Sequence, residues 1–144
     1  MKEKCLCSLW VVWLCLCGSL SAQELRQYSI RIDRSEGGGM SGICIIRTER
    51  GNGSLCVMNE FGIKAFDAVY SSKKNKVKLC HVIAPLNKWY LRKIIAQDMR
   101  LLFNLERLTS KKRTFLRKDD GSMVLDNKRF KITYHLYPLR NVVE

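Results

Sequence analysis

The sequence predicts an α+β domain in which a curved antiparallel sheet is covered by one long helix. Three observations carry this reading. Short segments with a period of two fill residues 28–83. One amphipathic stretch of helical period comes next, at about 87–106. Two or three further strand-like segments then run from residue 113 onward. No unit recurs at a fixed spacing, which excludes a stacked-repeat architecture. The 144 residues hold one ordinary domain at most, too few for a barrel enzyme or a full dinucleotide-binding fold.

Residues 1–22 read as a secretory signal peptide. Lys2 and Lys4 precede the uncharged run Cys5–Leu20, and Gly18, Ser19, Ser21 and Ala22 supply small residues before cleavage. Cleavage is expected after Ala22, with Ser21 the near alternative. A retained membrane anchor is the rival reading, although the uncharged stretch Cys5–Gln23 falls just short of the roughly 20 residues of a comfortable span. Either way, the chain beyond residue 23 is exported. Leu14 and Leu16 precede Cys15 and Cys17, where a lipid-acceptor cysteine would need a small neighbour, so lipid attachment is disfavoured. Cleavage removes Cys5, Cys7, Cys15, Cys17, Trp10 and Trp13, and leaves Cys44, Cys56, Cys80 and Trp89. Three cysteines make no disulfide framework, so residues 23–144 form a single domain that must rely on an apolar core.

The elements run in order along the chain. Tyr28–Asp33 alternates apolar and polar residues, and Arg34–Gly39 is a glycine-rich loop. Gly42–Thr48 is rich in β-branched residues. Glu49–Gly53 has hairpin chemistry, so Ser54–Asn59 should pair back on it. Glu60–Gly62 is a bend before the strand Ile63–Tyr70. Ser71–Asn75 is a polar turn before Lys76–Ile83, which places Val77, Leu79, His81 and Ile83 on one face. Asn87 is the expected N-cap of the helix. Leu91, Ile94, Ile95, Met99, Leu102 and Phe103 form its apolar stripe, opposite Lys88, Arg92, Lys93, Gln97, Arg100 and Asn104. Arg113–Arg117 and Ser122–Leu125 flank a turn at Lys118–Gly121. In the last strand, Lys128–Tyr137, the residues Phe130, Ile132, Tyr134 and Leu136 share a face, and Pro138 ends it.

Chemistry-bearing motifs are sparse. The histidines are His81 and His135, and no G-x-S-x-G turn accompanies them. His81 reads as a core or edge histidine beside Leu79 and Ile83, and Cys80 points to the opposite face of that strand, so the two cannot act as a dyad. No C-x-x-C or H-x-x-x-H spacing suggests a metal site, and Asp119-Asp120-Gly121 reads as a turn. The expectation is therefore no catalytic residue, no metal and no cofactor. Asn52-Gly-Ser54 matches a glycosylation sequon, a motif common by chance. A hairpin centred on Arg50 would set Cys44 opposite Cys56, close enough for a disulfide, but a shift of one residue would separate them. The favoured reading is two small buried side chains.

Charge is the strongest bulk signal, a formal +13. Loss of Lys2, Lys4 and Glu3 leaves 24 basic and 12 acidic residues, a charge of +12. Export argues against nucleic acid and leaves anionic lipid head groups, an acidic protein or a polyanionic glycan as partners. Lys88, Arg92, Lys93 and Arg100 are the candidate surface-binding residues, and a solvated helix face is the alternative. A concave space between sheet and helix would be either a packed core or a ligand cavity.

The segment Ser54–Phe103 resembles the LolA/LolB-like group of periplasmic lipoprotein carriers and outer-membrane receptors. The resemblance rests on the strand Ser54-Leu-Cys-Val-Met-Asn59, the bend Asn59-Glu-Phe-Gly62, the strands Ile63–Tyr70 and Val77–Ile83, and the helix ending Ala96-Gln-Asp-Met-Arg-Leu-Leu102. A signal peptide and a preceding G-I-C-I-I-R strand complete it. It covers about half of residues 23–144. It implies an unclosed antiparallel half-barrel with a helical lid, a cavity for acyl chains and no covalent chemistry. It implies residence in the periplasm, soluble or associated with the outer membrane. The chain departs from the group in having one lid helix and no convincing lipidation cysteine. The expected function is an exported, non-enzymatic protein holding a lipid or lipoprotein acyl chain. Tyr28, Ile30, Ile32, Ile43, Ile45, Phe66, Trp89, Leu91, Ile95, Phe130, Ile132 and Tyr134 are expected to line the cavity. The alternative is a basic exported module that binds an acidic protein or an anionic membrane surface without a cavity.

Overall fold

The computed structural model describes residues 23–105 and 108–140. The expected signal peptide, residues 1–22, lies outside them. Among the described residues the chain forms β1 (Glu24–Arg34), β2 (Gly39–Glu49), β3 (Asn52–Asn59), β4 (Lys64–Ser71), β5 (Lys76–Cys80), α1 (Trp89–Asn104), β6 (Leu108–Thr109), β7 (Arg113–Arg117), β8 (Met123–Asn127) and β9 (Ile132–Pro138). A short 3-10 turn, Ala84–Leu86, leads into α1. The strands make one antiparallel sheet in the order β5-β4-β3-β2-β1-β9-β8-β7-β6. The sheet curls into an unclosed half-barrel with one long helix, the α+β class expected. Two meanders, β1–β5 and β6–β9, meet where β1 pairs with β9. The helix carries the chain from one free edge to the other across the inner face.

Hairpin chemistry sets the register of the first meander. Arg50 and Gly51 both have positive φ, 49° and 78°, the two-residue turn whose twist suits a hairpin. Its centre lies between them, so Cys44 faces Val57 and Ile45 faces Cys56. The two cysteines therefore point to opposite faces, and both are free thiols. This register puts Gly42, Cys44 and Ile46 on the inner face with Tyr28 and Ile30. Ile43 and Ile45, expected inside, face outward instead. A bulge at Val57/Met58 then brings Phe66 opposite Val57 and Lys64 opposite Met58, which lets both Ala65 and Phe66 be buried. At Gly42, paired with Asn59 on β3, an added Cβ would clash with the Met58 carbonyl oxygen.

Three polar ties hold α1 to the sheet. At its start, the Arg92 guanidinium donates to the Leu79 carbonyl at 3.0 Å and to Asn87 Oδ1 at 2.7 Å. Asn87 is thus a partner of Arg92 rather than the expected N-cap. The capping position is Lys88, which makes no side-chain cap. At the helix end, the Tyr70 hydroxyl donates to Asn104 Oδ1 at 2.7 Å, and the Tyr70 and Phe103 rings stack at 5.1 Å.

Between these, Asp98 is fully buried among three strands. Its Oδ1 accepts from Arg113 Nε at 2.7 Å and Asn127 Nδ2 at 2.9 Å, and its Oδ2 accepts from the Tyr134 hydroxyl at 2.9 Å. Gln97 Oε1 takes a further Arg113 N–H at 3.0 Å. Burial pushes the Asp98 carboxyl above its ordinary value, opposed by the Arg113, Asn127 and Tyr134 donors. Burial, then the neighbouring Asp98 charge, pushes the Tyr134 hydroxyl up as well.

Breaking the Asp98 cluster on one side should strand a buried charge. Asp98→Ala is expected to lower unfolding free energy by about 3–5 kcal/mol in urea titrations. The double change Asp98→Leu with Arg113→Met is expected to lose much less. Gly42→Ala should cost about 1–3 kcal/mol by the same measurement, because the clash is with backbone.

Candidate functional site

The strand registers gather five connections at one end of the half-barrel. They are the β1–β2 loop, the β3–β4 bend, the segment from β5 into α1, the β6–β7 turn and the β8–β9 turn. This end carries the largest exposed apolar side chains. Phe61 is 86 % exposed and Trp89 80 %, with Ile63, Tyr90 and Phe130 also exposed. Basic residues stand among them: Lys64, Lys88 and Lys93 on one side, and Lys111, Lys112, Lys128, Arg129 and Lys131 on the other, all exposed.

Local chemistry presents the apolar tips rigidly. Asn59 Oδ1 accepts from the backbone N–H groups of Phe61 at 3.0 Å and Ile63 at 2.9 Å, a side-chain turn that fixes the bend. Gly62 supplies the positive φ of 76° that the bend needs. Ser41 donates to Glu60 across the β2–β3 rim. Trp89 and Tyr90 pack edge to face at 5.9 Å, and the Arg129 guanidinium lies over the Phe130 ring at 5.4 Å.

The twelve expected cavity residues divide by position. Tyr28, Ile30, Phe66, Ile95 and Tyr134 are buried between sheet and helix, and Ile32, Leu91 and Ile132 are half-buried towards its margins. Ile43 and Ile45 lie on the outer face. Trp89 opens the helix on its exposed side. Phe130 sits in the β8–β9 turn, because β9 begins only at Ile132. The interior is closed in this state: Ile30, Cys44, Ile46, Val57, Ala68, Met99 and Leu102 have no exposed surface.

Of the four expected surface residues, Lys88, Lys93 and Arg100 are exposed. Arg92 is half-buried and committed to Leu79 and Asn87, so it is a structural residue.

His81 also departs from expectation. β5 ends at Cys80, and His81 takes a positive φ of 48°, which turns its ring away from the apolar face into solvent. There its Nδ1 lies 3.2 Å from Asp67 Oδ2, which also accepts from Lys64 Nζ at 2.9 Å. Partial burial raises the Asp67 carboxyl, but donors from Lys64, Cys56 and His81 together hold it below its ordinary value. Cys56 and Cys80 are its cross-strand neighbours. Burial pushes the Cys44 thiol up to about 12, with the neighbouring Cys56 adding and Arg26 opposing. Burial and Asp67 likewise raise the Cys56 thiol. Both thiols stay protonated, the form unsuited to nucleophilic attack or metal ligation. Among the described residues, no three His, Cys, Asp or Glu side chains converge to hold a metal ion. None of the described helices is long and apolar enough to cross a membrane.

No protein-family model matches the chain, and no curated protein matches its sequence.

The two helix-face cations should separate on mutation. Arg92→Met is expected to lower the thermal midpoint by several degrees, the effect of about 1 kcal/mol or more. Lys93→Gln should leave it unchanged.

Proposed function

We propose that this protein is an exported, non-enzymatic lipid-binding domain. It docks on an anionic membrane surface and takes up an acyl chain between sheet and helix, in the periplasm or at the outer membrane. One observation carries the reading: the end of the half-barrel where exposed aromatic and aliphatic tips stand among lysines and arginines. Aromatic side chains favour the membrane–water interface, and each Lys or Arg near an anionic surface contributes about 1 kcal/mol. The charge of +12 on residues 23–144 acts in the same direction. The inner face supports the second half of the reading, because it is apolar from Tyr28 to Ile32 of β1 and along β2–β4, and faces the apolar side of α1. An acyl chain would replace the contacts of Met99 and Leu102, so uptake requires α1 to lift. Each buried methylene of the chain contributes about 0.8 kcal/mol towards that displacement.

Vesicle co-sedimentation tests the docking. Binding is expected to vesicles containing phosphatidylglycerol and not to pure phosphatidylcholine, with steep loss in salt. Phe61→Ser with Trp89→Ser should weaken it by about tenfold or more, since burying one such side chain is worth about 1.5–3 kcal/mol. Lys88→Gln with Lys93→Gln should weaken it further. Binding that depends on charge but not on Phe61 and Trp89 would instead favour an acidic protein partner. Native mass spectrometry of the purified protein should reveal acyl species.

A further inference from the structure

Arg26 is a charged residue on the wrong face for a surface cation. It pairs across the sheet with Ile46, and its parity matches Tyr28 and Ile30, so it points into the half-barrel. Its side chain is only 13 % exposed. Its Nε and Nη1 are buried and find no hydrogen-bond partner among the described residues. The neighbouring carboxylate, Glu24, is 66 % exposed and stands 3.5 Å from Nε without hydrogen-bond geometry. A buried guanidinium with unsatisfied N–H groups costs free energy unless something occupies its fork. Nη1 belongs to the end-on fork with Nη2, and that fork suits a carboxylate or phosphate that accepts two parallel hydrogen bonds.

The position says what kind of molecule would bring that anion. Arg26 lies at the end of the half-barrel opposite Phe61 and Trp89. β9 stops at Pro138, opposite Tyr28, and one further bond, from the Leu139 N–H to the Gln27 carbonyl at 2.9 Å, carries the contact to the residue beside Arg26. The eight steps from Arg26 to Arg34 span about 26 Å at about 3.3 Å each. That length of inner face, through Tyr28 and Ile30, is apolar. We infer that Arg26 receives the anionic head of a single-chain amphiphile, an alkyl carboxylate or alkyl phosphate, whose chain runs along β1 beneath α1 towards the membrane-docking end. Glu24 holds the place of that head and swings into solvent when it arrives. The inference rests on the lipid-binding reading above and specifies its ligand class.

Titration of the purified protein with dodecanoate, dodecyl phosphate and dodecanol tests it, since the three share a chain and differ in the head. The anionic ligands should bind about tenfold or more tighter than dodecanol, the worth of a hydrogen bond to a charged group. The larger margin of the two assigns carboxylate or phosphate. Arg26→Gln should erase the margin while leaving dodecanol affinity and the thermal midpoint unchanged or raised. Arg26→Lys keeps the charge but loses the fork, so a reduced margin should survive. Glu24→Gln should widen the margin, an effect that a purely structural Arg26 would not produce. Equal binding of all three ligands, or a margin untouched in Arg26→Gln, overturns the inference and leaves the lipid-binding reading standing. Absence of binding by every dodecyl ligand overturns both.

Discussion

The burial of Asp98 is the constraint on which the rest of the arrangement turns. A single carboxylate on α1 takes donors from β7, β8 and β9, all strands of the second meander. The same helix packs its flanks on β4 and β5 of the first meander. Within the sheet, the two halves are joined by the pairing of β1 with β9. The carboxylate therefore sets where the crossing helix lies over both. A polar cluster in this place discriminates more than it stabilises, because an apolar residue could slide while a carboxylate with three donors has one position.

The contacts that hold the helix over the filled interior are of two kinds. Contacts along the helix underside are apolar and interchangeable, so another apolar chain could satisfy the sheet equally well. The polar ties are specific and lie at the helix start, middle and end. Any motion of the helix must then break named hydrogen bonds while exchanging one hydrocarbon surface for another. The tie at Tyr70 and Asn104 is nearer the solvent than the Asp98 cluster, and Arg92 holds the opposite end to an edge strand. A hinge would thus sit more naturally at Asp98 than at either terminus.

How much of this was legible depended on whether local chemistry had a single answer. Arg113–Arg117 was readable residue for residue, because alternation and a glycine turn agreed. Helix and strand order were readable from the change of period near residue 87. Parity was not readable in Gly-Ile-Cys-Ile-Ile, where apolar residues occupy both faces. There the observed pairing sets Cys44 between Tyr28 and Val57 on the inner face, so Ile43 and Ile45 point outward, while the centre of the Arg50-Gly51 turn, half a residue from the one assumed, separates Cys44 from Cys56. His81 and Phe130 were misplaced because the first strand ends three residues before its alternating pattern does and the second begins four residues after its pattern starts. Asp98 could have been found. It stands inside the stripe Leu91, Ile94, Ile95, Met99, Leu102, and a lone acid there needs buried donors. Arg26 was invisible because an isolated arginine before a strand reads as solvated.

The two unpaired margins of the sheet bear on how the protein behaves in a crowd. An open half-barrel leaves backbone donors and acceptors at β5 and β6, where a neighbouring chain could add strands without limit. β6 is two residues long, too short to template such growth. β5 is five residues long, carries exposed lysines at 76 and 78, and has α1 packed alongside. Growth from either side is thereby blocked by brevity, like-charge repulsion and bulk. The sheet can remain open along its seam without becoming the seed of a fibre.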